Sequence, residues 1–333
     1  MPTILISAPY MLPTIDRFRP VFDHYGLDII IPPLPVKERL TQNDLIVYVN
    51  QFNGTICGDD QYNKNVLDAF ATSLKVISKW GTGLDSIDQD EAGKLKIKVF
   101  NTPNAFTLPV ADTVLGYMLA FARQLPWMDK ALKSGKWKKI PGRSLSECTL
   151  GVVGVGNVGK AVLRRARAFG MKLLGNDIVP IAVDFLAENG VEMTNLPDLL
   201  RRSDFISLNC DLNATSVHMI NSYTLQNAKH GAILINTARG KIVDESALID
   251  ALISGQLGGA ALDVFDNEPI MSNNPLLTMD NVLLAPHNAN SSPSAWERVH
   301  WNSIRNLLEG LEIPSGDLPN LAAAQGIALG SIR

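Results

Sequence analysis

The chain has 333 residues, more than twice the roughly 150 residues of a typical domain, so we expect two domains. Hydrophobic residues make up 46% of the sequence and charged residues 19%, proportions that exclude a fibrous or disordered protein. Thirty basic residues against 33 acidic ones give a net charge of −3 with no Lys/Arg-rich block, so we expect no nucleic-acid partner.

The N-terminal part of the chain alternates short β-rich runs with helical segments, a pattern typical of βαβ units. We predict strands over residues 3–7, 27–31, 45–49, 74–78 and 96–100, and helices over residues 63–72 and 85–93. Strands this short, separated by helices, form a mostly parallel sheet with helices on its faces. The sequence therefore predicts a first α/β domain.

A second series of βαβ units follows a predicted helix over residues 108–123, whose apolar side chains recur at helical spacing. Its predicted strands cover residues 149–153, 172–176, 204–208, 232–236, 260–265 and 282–285. Most of them are continuous apolar runs, as strands buried in a parallel sheet require. A last helix over residues 293–311 has one apolar face that must pack on the rest of the chain. The predicted fold class is α/β, with two doubly wound parallel sheets.

A glycine-rich turn after the strand at 149–153 matches the dinucleotide-binding pattern Gly-x-Gly-x-x-Gly. Gly154 allows the tight turn, Gly156 lets a pyrophosphate approach the backbone, and Gly159 lets the next helix pack closely on the strand. The apolar residues of that helix share one stripe: Val158, Val162, Ala166 and Phe169. Because the pattern lies between a strand and a helix, we predict a dinucleotide site rather than a purely structural turn.

The predicted cofactor is NAD. Asp177 ends the next strand, 23 residues after Gly154, where a carboxylate can accept hydrogen bonds from the adenosine ribose hydroxyls. NADP would need a cation for its 2′-phosphate, and the residues that follow Asp177 are Ile178, Val179 and Pro180. The alternative for Asp177 is an exposed acid or a helix N-cap.

Three polar residues follow three successive strands of the second series: Arg239, Glu268 and His287. Ligands of an open parallel sheet bind beyond the carboxyl ends of its strands, so we expect the three at the edge where the dinucleotide lies. A carboxylate favours the protonated form of a neighbouring imidazole, and a guanidinium binds and polarises an oxo acid. The trio therefore predicts hydride transfer between a carbonyl and an alcohol. The structural alternatives are a surface arginine, a turn acid and a loop histidine.

Other kinds of site have little support. The sequence has no Gly-x-Ser-x-Gly elbow and no His/Cys/Asp cluster with ligand spacing, so we expect neither a serine hydrolase nor a metal. The three cysteines, interpreted as buried apolar residues, are widely separated: Cys57, Cys148 and Cys210. Because no run reaches about 18 consecutive apolar residues and no secretory pattern is present, we expect a cytoplasmic protein that does not bind membranes.

Several stretches together resemble the D-isomer-specific 2-hydroxyacid dehydrogenases, especially the 3-phosphoglycerate dehydrogenase-like branch, over nearly the whole chain. The matching stretches are residues 79–85 (Lys-Trp-Gly-Thr-Gly-Leu-Asp), 101–105 (Asn-Thr-Pro-Asn-Ala), 154–159 with Asp177, 236–240 (Asn-Thr-Ala-Arg-Gly), 261–265 (Ala-Leu-Asp-Val-Phe) with Glu268-Pro269, and Pro286-His287. The resemblance implies NAD-dependent interconversion of a small 2-keto acid and a D-2-hydroxy acid.

The resemblance also implies a domain plan and residue roles. Residues 1–101 plus 290–333 would form a flavodoxin-like substrate domain, and residues 102–289 an inserted Rossmann NAD-binding domain, with the active site in the cleft. His287 would be the acid/base, Glu268 its partner and Arg239 the anchor for the substrate. Trp80, Gly81 and Thr82 would bind the substrate, with Thr82 near the nicotinamide. Further cofactor contacts would come from Asn157, Val158, Cys210, Thr237, Ala238, Asp263 and Asn290. The resemblance also implies a homodimer formed through the cofactor domain.

Two departures from the family pattern bear on the substrate. Phosphoglycerate-specific members carry an arginine in the first-domain loop, whereas residues 52–60 contain no cation and end in Asp59 and Asp60, so we do not expect a phosphorylated substrate. The turn after His287 is Asn288-Ala289-Asn290, which adds polar groups. Two alternatives stay open: an NAD(H)-sensing corepressor-type binding protein on the same fold, and a formate- or phosphite-type dehydrogenase. The complete Arg/Glu/His set favours an enzyme over the corepressor-type binding protein, and a cofactor-reduction assay across small acids would separate the two kinds of dehydrogenase.

Overall fold

The computed structural model describes residues 1–33, 36 and 39–327, and the chain divides into two compact units. Unit 1 contains Met1–Phe106 and the described residues from Ser291 onward, and unit 2 contains Thr107–Asn290. Residues 328–333, the end of the predicted substrate domain, lie outside the described residues. That unit 1 binds the substrate stays a prediction.

Unit 1 is built on a sheet of five parallel strands, called sheet 1. Its strands are β1 (Thr3–Ile6), β2 (Asp28–Ile30), β3 (Gly54–Cys57), β4 (Val76–Lys79) and β5 (Lys98–Phe100), and its connecting helices are α1 (Ile15–His24), α2 (Gln42–Ile46), α3 (Lys64–Phe70) and α4 (Gln89–Lys94). The strand order β2-β1-β3-β4-β5 is the flavodoxin-like order. The predicted α/β class and flavodoxin-like fold are confirmed.

The predicted strand over residues 45–49 is wrong. Leu45 and Ile46 end helix α2, and the strand between them and α3 is β3, whose residues are all buried. The helix starts at a capping box, in which the Thr41 side chain accepts from Asp44 N and the Asp44 carboxylate accepts from Thr41 N at 2.8 Å. This local signal outweighs the β-propensity of the short apolar run that follows it.

Unit 2 is built on sheet 2, which has seven parallel strands. They are β6 (Thr149–Val153), β7 (Lys172–Asn176), β8 (Val191–Met193), β9 (Phe205–Leu208), β10 (Ala232–Asn236), β11 (Leu257–Leu262) and β12 (Val282–Leu284). Its helices are α5 (Thr107–Ala122), α6 (Leu125–Lys133), α7 (Asn157–Ala168), α8 (Val183–Asn189), α9 (Leu196–Arg202), α10 (Ser222–Leu225) and α11 (Glu245–Ile253). The order β12-β11-β10-β9-β6-β7-β8 reverses between β6 and β9, which confirms the predicted Rossmann topology.

Three details of unit 2 differ from the sequence prediction. Strand β8, which has three residues at the sheet edge, was not predicted. Strand β11 starts and ends three residues earlier than expected, and it contains two consecutive glycines near its start. A Cβ on the second, Gly259, would lie 2.6 Å from the backbone oxygen of Asn281, so the close approach of this backbone requires glycine. Phe169 is 43% exposed at the C-cap of α7, so the buried stripe of that helix ends at Ala166.

Two further helices, α12 (Pro293–Gly310) and α13 (Leu318–Ala323), belong to unit 1. The buried face of α12 packs on β3, β4 and β5, and the Ser78 hydroxyl donates to the backbone oxygen of Ser303 at 2.8 Å. A Cβ on Gly310 would lie 2.1 Å from the Val76 side chain, so this close approach requires glycine. Among the described residues, no helix has both the length and the apolar character needed to span a bilayer.

One buried histidine of α12 joins that helix to the segment after β4. His300 is 3% exposed, and its Nδ1 accepts a hydrogen bond from Trp80 Nε1 at 2.9 Å. Burial lowers the pKa of His300 from 6.5 to about 4. Since an accepting nitrogen must be unprotonated, the neutral imidazole is the form that holds Trp80 in place.

We expect unit 1 to lose stability in acid through His300. Its pKa in the folded chain lies below the value of 6.5 in the unfolded chain, so the unfolded state binds the proton more readily and the free energy of unfolding falls as the pH drops from 6.5 to about 4. The fall should approach about 1.4 kcal/mol per pH unit from this group. In His300→Gln, which retains an acceptor for Trp80, that part of the slope should vanish in denaturant titrations at several pH values.

The matched control for this prediction is His24→Gln, which removes an exposed histidine of the same unit that pairs with Asp317. The loss of slope should be larger in His300→Gln than in this control. Equal slopes for the wild type and His300→Gln between pH 4 and 6.5 would contradict the assignment.

Candidate active site

Arg239, Glu268 and His287 follow strands that are neighbours in sheet 2. Strand β10 pairs with β11, and β11 pairs with β12, with Asn236 opposite Leu262 and Leu262 opposite Leu284. All three strands are parallel, so the segments that carry the trio leave the sheet along one side, called here the carboxyl edge of sheet 2. This is where a doubly wound sheet binds its ligands.

His287 and Glu268 form a hydrogen-bonded pair at this edge. His287 Nδ1 lies 3.0 Å from Glu268 Oε2, and the two side chains are 24% and 28% exposed. The other carboxylate oxygen, Oε1, accepts from the backbone N–H of Phe265 at 3.0 Å, which orients the carboxylate. An ionised carboxylate only accepts, so we assign the proton to Nδ1. Nε2 is then the ring atom that can exchange a proton with a substrate.

The backbone at His287 is held in an uncommon conformation by a buried acid. His287 has a φ of 50°, in the left-handed region that few non-glycine residues adopt. Asp263 is 1% exposed, and its Oδ1 and Oδ2 accept from the backbone N–H groups of Asn288 at 2.7 Å and Ala289 at 2.9 Å. His287 N donates to the Asp263 backbone oxygen at 2.8 Å. Burial raises the pKa of Asp263, and the two backbone hydrogen bonds oppose that rise.

Arg239 is half-buried and follows β10 in a tightly bonded turn. Its Nη1 donates to the Ala238 backbone oxygen at 2.8 Å, and the Asn236 side chain donates to the Arg239 backbone oxygen at 2.9 Å. A Cβ on Gly240 would lie 1.9 Å from the backbone oxygen of Phe265, so only glycine lets this turn pass so close to the segment that leads to Glu268. The two turns are therefore locked together.

The glycine loop (residues 154–159) lies at the point where the strand order reverses. Gly154 has a φ of 88°, and a Cβ there would lie 2.5 Å from the backbone nitrogen of Cys210, which follows β9. A Cβ on Gly159 would lie 2.0 Å from the backbone oxygen of Gly154. Gly156 and Asn157 are exposed at the start of α7, whose first turn has no acidic residue. This arrangement fits a pyrophosphate against the helix N-terminus.

Asp177 lies beside the glycine loop. Its Oδ2 accepts from the backbone N–H of Val155 at 2.6 Å, and its Oδ1 accepts from Val179 N at 3.0 Å. Next to it are exposed apolar side chains, Ile178, Val179 and Val183, which are 78%, 61% and 76% exposed. A carboxylate with an adjoining apolar surface suits the ribose and adenine of a dinucleotide.

The remaining predicted cofactor residues of unit 2 are also at or near strand ends of sheet 2. Among the described residues, the buried hydroxyl of Thr237 has no hydrogen-bond partner. A buried polar group without a protein partner fits one that hydrogen-bonds a ligand. Burial raises the pKa of Cys210 to about 11, so its side chain is a thiol at neutral pH. Val158 and Ala238 are half-buried, and Asn290 ends the turn that starts at His287. These residues fit NAD.

In unit 1, the predicted substrate residues form the Trp80 loop (residues 80–83) after β4. Trp80 N donates to the Cys57 oxygen at 2.8 Å, and Gly81 N donates to the Thr102 hydroxyl at 3.2 Å. The Thr82 hydroxyl donates to the Thr102 backbone oxygen at 3.2 Å. Within the described residues, the backbone N–H groups of Thr82 and Gly83 donate to no protein acceptor. These two are the loop donors that a carboxylate could use.

The sequence analysis missed one of these positioning residues and the supporting role of another. Thr102, which is 1% exposed, supports the Trp80 loop, and its place in the matching stretch 101–105 could have drawn attention to it. Asp263 was predicted to contact the cofactor, but its support of the His287 turn was not foreseen. No local pattern reveals that support, because the bonded residues are 25 and 26 positions apart.

Residues 115–289 match the NAD-binding domain of the D-isomer specific 2-hydroxyacid dehydrogenases. The chain belongs to that family. As a member of the D-2-hydroxyacid dehydrogenase family, it is an NAD-dependent oxidoreductase that acts on a CH–OH group. The predicted family, enzyme class and cofactor are therefore confirmed.

Relatives of this dehydrogenase include several reductases. A glyoxylate reductase of Korarchaeum cryptofilum is 41% identical over 297 residues, which cover 86% of each chain. A hydroxypyruvate reductase of Thermotoga maritima is 40% identical over 245 residues, 72% of this chain and 79% of the relative. The solved structure of a D-lactate dehydrogenase from Aquifex aeolicus, complexed with NAD and lactic acid, matches with a TM-score of 0.78 at 26% identity, covering 93% of this chain and 97% of that one.

Asp263→Ala tests the support of the His287 turn. It leaves the N–H groups of Asn288 and Ala289 without their acceptor, so we expect kcat for the reduction of a 2-keto acid to fall at least about tenfold as His287 loses its orientation. Asp263→Asn keeps one oxygen acceptor and should lose less. Removal of an exposed acid in the same segment, Asp266→Ala, serves as the control. Wild-type kcat in Asp263→Ala would refute the role.

Proposed function

We propose that this dehydrogenase reduces a short 2-keto acid to the corresponding D-2-hydroxy acid, with His287 as the acid/base. The observation that carries the proposal is the hydrogen bond of 3.0 Å between His287 Nδ1 and Glu268 Oε2 at the carboxyl edge of the NAD-binding unit. When bound as NADH, the cofactor supplies the hydride for the carbonyl carbon.

His287 moves the proton in this proposal. In reduction, the imidazolium donates the Nε2 proton to the carbonyl oxygen as that oxygen gains electrons, and in oxidation the neutral ring takes it back. The Glu268 carboxylate stabilises the imidazolium form through Nδ1. Its own orientation comes from the Phe265 N–H, and the orientation of the ring comes from the turn that Asp263 holds.

Arg239 and the Trp80 loop bind the acid in this proposal. The guanidinium of Arg239 contacts the carboxylate and polarises the carbonyl oxygen, which raises the reactivity of the keto carbon. The N–H groups of Thr82 and Gly83 hold the carboxylate through the backbone. Relatives named glyoxylate reductase and hydroxypyruvate reductase support a substrate with two or three carbons.

The central test replaces the proposed acid/base. In His287→Ala, we expect kcat to fall about a hundredfold or more for any 2-keto acid that the wild type reduces, because the proton donor is gone. NADH binding, measured by fluorescence titration, should survive. The assay is NADH consumption over a panel of 2-keto acids, with formate and phosphite tested in the presence of NAD.

His230→Gln, which alters an exposed histidine of the same unit, is the control and should leave kcat unchanged. Glu268→Gln keeps the shape of the side chain but removes its charge, so its loss of reductase activity should be smaller and should grow as the pH rises. Turnover of His287→Ala at the wild-type rate, or oxidation of formate or phosphite alone, would overturn the proposed function.

Asp177→Ala tests the cofactor preference. Loss of the carboxylate removes the acceptor for the ribose hydroxyls and the charge that repels a 2′-phosphate, so the ratio of the NADPH and NADH dissociation constants should move toward unity by about tenfold or more. Asp184→Ala, an exposed acid in the first turn of α8, is the control. An unchanged ratio in Asp177→Ala would remove the role assigned to this carboxylate.

A further inference from the structure

A buried amide ends the strand that leads to Arg239. Asn236 is the last residue of β10, where it follows the apolar run Ala-Ile-Leu-Ile, and it is 1% exposed. Burying an amide costs free energy unless its polar atoms find partners, and an apolar side chain would carry no such cost. The partners of the Asn236 amide therefore show what this residue supplies that an apolar one could not.

Both ends of the amide bond the turn that follows β10. Asn236 Oδ1 accepts from Ala238 N at 3.1 Å, and Asn236 Nδ2 donates to the Arg239 backbone oxygen at 2.9 Å. The Ala238 N–H belongs to the peptide group before Ala238, and the Arg239 oxygen belongs to the peptide group after Arg239. One side chain thus holds the peptide groups on both sides of the one that joins Ala238 to Arg239.

The peptide group between these two carries a bond to the guanidinium. Its oxygen, that of Ala238, accepts from Arg239 Nη1 at 2.8 Å. The backbone of Arg239 is extended, with a φ of −144° and a ψ of 141°. A guanidinium is planar, so a bond at Nη1 also constrains the directions of its other N–H groups. The orientation of the guanidinium therefore depends on a backbone segment that Asn236 holds.

We propose that Asn236 is a positioning residue for substrate binding and acts through Arg239. The proposal rests on the function proposed above, in which the guanidinium contacts the carboxylate and the carbonyl oxygen of a 2-keto acid. Without the amide, the turn has more conformations available, and the guanidinium spends less time where the acid binds. The amide itself is assigned no contact with the substrate.

The backbone of Asn236 has a separate task at the same edge. Its oxygen accepts from Asp263 N at 3.0 Å, and the Asp263 carboxylate supports the His287 turn. A change of the Asn236 side chain leaves that backbone bond in place. Loss of the amide should therefore affect the binding of the acid by Arg239 more than proton transfer by His287, which predicts a larger effect on KM than on kcat.

The experiment removes the amide and follows the reduction of glyoxylate and of hydroxypyruvate at saturating NADH. In Asn236→Ala, KM for the keto acid should rise at least about tenfold, while kcat should change by less than about threefold. Asn236→Ser keeps a shorter acceptor for the Ala238 N–H, so its KM should lie between those of the wild type and Asn236→Ala. Fluorescence titration with NADH shows whether unit 2 is intact in each variant.

A double-mutant cycle with Arg239→Ala separates positioning from general damage to the fold. Arg239→Ala alone should lower kcat/KM about a hundredfold or more, because the anchor for the acid is gone. In that background, Asn236→Ala should lower kcat/KM by less than about twofold further, since the group that it positions is already absent. A purely structural asparagine would instead lower the folded fraction equally in both backgrounds and leave KM unchanged.

Asn221 offers a matched control in the same unit. Its Oδ1 accepts from Tyr223 N at 3.0 Å, and its Nδ2 donates to the His218 backbone oxygen at 2.8 Å. These are the same two kinds of bond, at a turn that carries none of the proposed active-site residues. KM and kcat of Asn221→Ala should equal those of the wild type.

A wild-type KM in Asn236→Ala would overturn this inference while the proposed function stands. The same holds if Asn236→Ala lowers kcat/KM by an equal factor with and without Arg239. Should Asn236→Ala fail to fold, Asn236→Ser decides by the same two criteria. The proposed function fails in a different way, because that failure requires a wild type that reduces no 2-keto acid.

Discussion

The geometry of the proposed active site depends on one buried carboxylate, that of Asp263. It holds two consecutive backbone N–H groups of the turn in which His287 has a positive φ, a conformation that such a residue adopts only when its surroundings fix it. This turn places the His287 imidazole within hydrogen-bond distance of the Glu268 carboxylate. The ring proposed to transfer the proton is thus oriented by hydrogen bonds to the backbone of its own turn.

The parallel sheet explains how residues so far apart in sequence meet. In sheet 2, the segments after β6, β7, β10, β11 and β12 all leave at one edge. The glycine loop, the proposed ribose-binding acid Asp177 and the proposed catalytic pair Glu268 and His287 therefore share that edge. Sheet 1 follows the same rule with different groups, since its carboxyl edge carries the ion pair of Lys79 with Asp59 and the Trp80 loop. One topological constraint therefore organises both sets of functional residues.

The elements that carry one strong sequence pattern could be predicted from the sequence. Strand β10 was predicted residue for residue because a continuous apolar run, Ala-Ile-Leu-Ile, marks a strand buried in a parallel sheet. Residues 45–49 were mistaken for a strand because a capping box three residues earlier was not weighed, and β8 was missed because three residues carry too little pattern. The trio at the carboxyl edge was predictable because each member directly follows a strand. The Asp263 bonds and the Lys79–Asp59 pair were not, since they depend on the register between strands.

The sequence of residues 52–60 does not by itself show which charges lie at the carboxyl edge of sheet 1. That loop has no cation, which argued against a phosphorylated substrate, yet the neighbouring strand supplies Lys79 to the same edge. The ammonium of Lys79 is itself paired, because Asp59 Oδ1 lies 3.0 Å from it. The charges at this edge are therefore set by which strands lie side by side, and a reading confined to one loop cannot supply that information.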